Sequence, residues 1–104
     1  MAEPTADELL LAAVRNYLDI TWTDADLDTK LTGLLKRGQT YLDSIAGTEQ
    51  DYTVEGQARS LLFDYVRYFR SNAGDQFAKN YADDLIALRL GEGVAQYEAD
   101  NPDV

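Results

Sequence analysis

Residues 56–72 read GQARSLLFDYVRYFRSN, the stretch where the chain concentrates aromatics and arginines. At ~100° per residue on a helix, Ala58, Leu61, Leu62, Tyr65, Val66, Tyr68 and Phe69 share one broad arc. Arg59, Ser60, Phe63, Asp64, Arg67, Arg70 and Ser71 share the other. The pattern predicts a helix with one buried and one charged side, around which the rest packs. Phe63 breaks the charged side, ringed by Arg59, Arg67 and Arg70. Two readings stand at this point. Arginine stems often lie over aromatic rings of their own chain, and a single exposed Phe is ordinary. Alternatively the four residues meet another subunit or partner, since Arg and aromatics dominate interface cores. The second reading expects Phe63→Asp to weaken assembly while the monomer stays folded.

Upstream, Thr5 and Glu8 have capping-box spacing, and Leu10, Ala13, Val14, Tyr17 and Leu18 then recur at helical spacing, with Ala6 and Leu9 extending the arc. That predicts a helix ending near Leu18. A second start follows, with Thr23 as cap, Asp24 and Asp26 at the positive helix end and Trp22 stapled onto Leu27. Leu27, Leu31, Leu34, Leu35, Tyr41, Leu42 and Ile45 form its apolar face, and Gly47 closes it after about 23 residues. Gly33 and Gly38, each costing ~1 kcal/mol against Ala, mark either a close helix approach or a local weakness, and Gly38 falls on the apolar face, which favours close approach. Residues 48–52, TEQDY, form a loop, and Thr53 or Asp51 caps the central helix.

Beyond the turn at Asn72-Ala73-Gly74, Asp75 caps a fourth helix with Phe77, Ala78, Tyr81, Leu85 and Leu88 on its apolar face. Arg89 and Gly91 mark its end. The remaining segment, EGVAQYEADNPDV, carries Glu92, Glu98, Asp100 and Asp103 and no basic residue. It has too little apolar surface to fold alone. The expectation is an all-α, small four-helix bundle-like domain over residues 1–91, with a flexible acidic C-terminal tail over 92–104.

The composition narrows the chemistry. A chain of 104 residues holds one core, and 9 Lys and Arg against 19 Asp and Glu give a net charge of -10. Attraction to phosphates or to an anionic membrane is disfavoured. No Cys and no His are present, which removes thiolate chemistry and the usual proton carrier and zinc ligand. Asp24, Asp26 and Asp28 match the first half of a calcium loop, but Thr29 stands where it needs Gly and Leu35 where it needs Glu. Asp83 and Asp84 are adjacent and diverge on a helix, unlike a catalytic pair. No phosphate-binding glycine motif occurs, and Gly91-Glu92-Gly93 fits none. Tyr17, Tyr41, Tyr65 and Tyr81 sit on predicted core faces, where packing outweighs base stacking. No catalytic residues, cofactor or metal are expected. The acidic N-terminus and the lack of a run near ~20 apolar residues argue for a soluble protein, intracellular at synthesis.

Taken together, AAVRNYLDI, then TDADLDTKLTGLLKRGQTYLDSIAG, ARSLLFDYVRYFRSN and FAKNYADDLIALRL resemble a known family. It is the head-tail connector (adaptor) proteins of tailed bacteriophages, also described as DNA packaging proteins. The resemblance runs from about position 9 to position 90, over a Y-L-x-I segment, an acidic start, a Leu-rich helix and a Gly close. Where the family ends its third helix with a Trp-Tyr-x-x-Arg run, this chain has Tyr68-Phe69-Arg70. The resemblance implies a virion structural component, not an enzyme. It would form a ring homo-oligomer beneath the portal protein, completing the head and docking a tail-side stopper or tail completion protein. DNA would pass through without specific binding, and a lining that repels phosphates suits that passage. The implied location is the virion head-tail interface, with assembly in the host cytoplasm. A ring needs two patches meeting head to tail, and the Arg59, Phe63, Arg67 and Arg70 face is one candidate. The alternative from the residues alone is a generic acidic helical protein-interaction module.

Overall fold

Thr5 opens the first helix, α1 (Ala6–Tyr17), its hydroxyl accepting from the Glu8 backbone N–H at 3.1 Å. The computed structural model describes residues 3–100, with side chains through Gly91. Helix α1 closes on Asp19 in the left-handed region (φ 59°), while Ile20 N–H returns to Arg15 O at 2.9 Å. Such a closure places a hydrophobic residue just past the turn, and Ile20 is buried. The apolar arc is shifted from the expected one. Leu10 and Val14 are buried and Leu11 partly so, whereas Leu9 is 51% exposed and Ala6 is exposed.

Helix α2 (Ala25–Ala46) is capped by Asp24, whose carboxylate accepts from Asp26 N and Leu27 N, and not by Thr23. A carboxylate accepts two N–H groups and adds charge at the positive helix end, so it outcompetes the neighbouring hydroxyl. Trp22 is exposed instead of folding onto the helix. Its carbonyl accepts from Arg15, which also pairs with Asp28 at 2.8 Å and so ties the end of α1 to the start of α2. Gly47, at φ 87°, closes α2 as expected.

Helix α3 (Gln57–Arg70) begins at Gly56 without a side-chain cap. Asp51 instead accepts from Thr53 N–H and Oγ1–H, forming a turn within the loop. The loop is anchored by Tyr52, which is buried and donates to Asp43 Oδ1 at 2.7 Å, while Gln50 N–H reaches the same oxygen at 3.0 Å. Helices α2 and α3 then cross antiparallel at Gly38. A Cβ there would lie 2.7 Å from Leu62 Cδ1 and 2.9 Å from Tyr65 Cδ1, so the missing side chain lets the backbones close. Leu62 and Tyr65 are both buried and have little room to yield. Gly38→Val is therefore expected to destabilise by about 2–3 kcal/mol, the overpacking cost exceeding the small propensity difference. Chemical denaturation measures it.

The expected fourth helix is broken. A 3-10 turn (Gly74–Gln76), the single turn α4 (Phe77–Asn80) and α5 (Ala82–Asp100) replace it. The expected Asp75 cap does not form. The break falls at Tyr81 (φ -112°, ψ 20°), whose ring stacks on Phe77 at 5.0 Å. That turn lets Phe77 insert into the core, while Leu85 and Leu88 bury along α2 and α3. Ala78, placed on the apolar face from sequence, is exposed.

A second correction concerns the end of α5, which continues through Gly91 to Asp100. A helical Gly costs only ~1 kcal/mol against Ala, too little for Gly91 to stop the helix without a capping turn. The 92–104 tail begins inside this helix. The side chains of 92–100 and all of 101–104 lie outside the described residues, and so does the expected flexibility there. The architecture is all-α, with no strand among the described residues. No described helix is long and apolar enough to cross a membrane.

Candidate functional site

The four residues expected to form one contact patch divide among three surroundings. Phe63 is 7% exposed, because α1 lies across this side of α3 and brings the Tyr17 ring to 5.7 Å. The expectation of an exposed aromatic is thus overturned. A helical wheel ranks the faces of one helix by polarity but does not say which faces neighbours cover, and α3 is covered on two.

Arg59 completes the burial of Phe63. Its guanidinium lies 4.9 Å from the ring centroid, it donates to Tyr52 O at 3.1 Å, and its Nε is 3.6 Å from the exposed Glu55 carboxylate. It therefore holds the 48–56 loop against α3. A cleft of about 450 Å³, lined by Ala13, Tyr17, Arg59 and Asp64 among others, remains along the α1–α3 seam.

Arg67 joins α3 to Tyr81, at the break between α4 and α5. It donates to Asp64 Oδ1 at 3.5 Å and to Tyr81 Oη at 3.2 Å, and it lies 5.2 Å over the Tyr68 ring. Asp64 also accepts from the Tyr17 hydroxyl, so Asp64 and Arg67 together link α1 and α3 to Tyr81. The hydrogen bond to Asp64 raises the Tyr17 pKa, helped by burial. Burial foremost, then the Asp64 charge, pushes Tyr81 up to about 12, while burial and the bond to Asp43 push Tyr52 higher. Each phenol is thus favoured neutral in the folded state. For such groups the stabilisation is complete below the unfolded value of 10.0 and is lost as pH climbs through the folded value. The protein is expected to lose stability progressively between about pH 10 and 12. Circular dichroism across that range checks this, and Tyr52→Phe with Tyr81→Phe should flatten the decline.

Arg70 belongs elsewhere. It is exposed and has no hydrogen bond or ion pair among the described residues. It lines a groove of about 750 Å³ between the first half of α2 and the last turn of α3, together with Lys30, Arg37, Leu27, Leu34 and Phe69. Arg37 lies 5.0 Å over the Phe69 ring. Sequence reading passed over Lys30 and Arg37. The signal was present, because the two cations are seven residues apart on one helix face with Gly33 between them. A Cβ on Gly33 would meet nothing within 4 Å, so the glycine leaves this wall open.

No group of three or more metal-ligating side chains converges among the described residues. Asp24, Asp26 and Asp28 serve the start of α2, through the cap and the Arg15 pair. No family model, no curated protein and no solved structure matches the chain.

Proposed function

We propose that this protein is a head-tail connector of a tailed bacteriophage. It assembles as a ring beneath the portal protein, helps complete the packaged head and offers a surface to the next tail-side protein. The observation carrying this reading is the order of helices. The segments that resemble the connector family fall, in order, on α1, α2, α3 and the α4–α5 unit. The acidic-start, Leu-rich α2 packs on the aromatic and Arg-bearing α3 as a single hairpin core. On this reading the protein works by subunit and partner contacts and catalyses nothing. DNA passes without specific binding, and the protein resides in the virion after assembly in the host cytoplasm.

A second reading draws support from the net charge of -10: an acidic helical module that binds one basic partner. The two differ in stoichiometry. Mixed with the portal protein encoded beside it, a connector is expected to co-sediment as many copies per portal. Portal sedimenting alone, or a one-to-one complex with another protein, would favour the module.

A further inference from the structure

Of the nine basic residues in this acidic chain, Arg15, Arg59 and Arg67 are ion-paired. Three of the others, Lys30, Arg37 and Arg70, meet in the α2–α3 groove, and no acidic residue lines it. Its apolar surface comes from Leu27, Leu34 and Phe69. Cations around an apolar floor fit an amphipathic helix with acidic ends, because charge guides the encounter and apolar burial holds it.

The same chain carries such a helix at its other end. Ile86 and Leu90, four residues apart on α5, are 57% and 61% exposed, an apolar line open to solvent. The sequence that follows adds Glu92, Glu98, Asp100 and Asp103 without a basic residue. The described part of α5 lies away from the groove of its own molecule. Leu85, Ile86 and Arg89 lie beside Ser44–Gly47, at the far end of α2, and Leu88 and Gly91 lie beside residues 50–59. At ~1.5 Å per residue, Gly47 is roughly 15–25 Å along α2 from the groove cations, and α5 runs further away.

We infer that the groove receives the acidic end of α5 from a second copy of the chain. The two surfaces differ and lie at opposite ends, so the contact is head to tail and repeats around a ring. The inference rests on the ring-forming part of the function proposed above and names the patches that such a ring uses. Residues 86–104 supply both the apolar line and the acids for the groove.

The chain has no cysteine, so disulfide trapping between full-length copies reads the contact directly. Gly33→Cys places a thiol in the open groove wall, and Leu90→Cys places one on the exposed line of α5. Mixed at high concentration under mild oxidation, the two variants are expected to give a mixed dimer well above either self-linked dimer. Arg37→Glu with Arg70→Glu in the groove copy should cut that yield about tenfold, as should Glu92→Lys with Glu98→Lys in the other. Both pairs together should restore it, and added salt should lower it. Mixed and self-linked yields that are equal, or that ignore the charge changes, would overturn the inference. That failure would leave the ring reading to stand or fall on portal co-sedimentation, which does not depend on this pair of patches.

Discussion

Replacing Phe77 by alanine is expected to cost about 3–5 kcal/mol, a large share of the stability of a domain this size. Phe77 is 1% exposed, and the rings of Tyr41, Tyr65, Tyr68 and Tyr81 surround it at 6.2, 5.4, 5.8 and 5.0 Å. Aromatic pairs add ~0.5–1.5 kcal/mol each beyond the area they bury, so the loss exceeds that of an ordinary aliphatic truncation. The position matters as much as the ring. Helix α4 is one turn long and has no side-chain cap, and a single turn has no stability of its own in water. Without Phe77 it loses its only buried residue. Denaturant titration should show the lowered midpoint, and amide exchange should show Gly74–Tyr81 opening first. A midpoint within about 1 kcal/mol of the parent would mean the aromatic cluster closes over the gap.

Phe63→Asp is the second large effect, and its direction reverses what the sequence implied. The substitution removes a ring packed on Tyr17 and under Arg59, and it inserts a carboxylate beneath α1. Arg59 can pair with that carboxylate and recover a part, but the lost apolar burial and the disrupted seam leave about 3–5 kcal/mol uncompensated. At ~4–8 °C per kcal/mol for a domain of this size, the melting temperature should fall by more than about 12 °C. A variant that melts with the parent would restore Phe63 to the surface. Arg70→Glu provides the contrast, since Arg70 is exposed and has no ion-pair partner among the described residues. It should leave stability within about 0.5 kcal/mol.

These two phenylalanines show where the sequence was legible. The inward faces of α2 and α3 follow from spacing alone, since Leu31, Leu35, Leu42, Leu61, Leu62, Tyr65 and Val66 are all buried. The Gly38 approach and the Gly47 closure were equally readable, because each needs a residue without a side chain. Phe63 was misread because its burial depends on where α1 docks, which no periodicity within α3 encodes. Tyr81 was read as an ordinary face position, yet its stacking on Phe77 accompanies a helix break that tertiary packing imposes. The cap of α2 was displaced by one residue because Thr23 and Asp24 are both good caps and only geometry decides between them. Arg70 was grouped with Arg59, Phe63 and Arg67, whereas in the structure it lines a groove with Lys30 and Arg37. Those two cations come from another helix, so no reading of α3 alone could have gathered them.

The proposed role is that this bundle, built on one apolar core, meets copies of itself at a portal. Negative-stain imaging of the full-length protein mixed with its portal tests that most directly. The account predicts an added ring of density on the outer face of the portal, with copies in regular contact around the axis. Bare portals beside free monomers, at concentrations well above those of assembly, would contradict it.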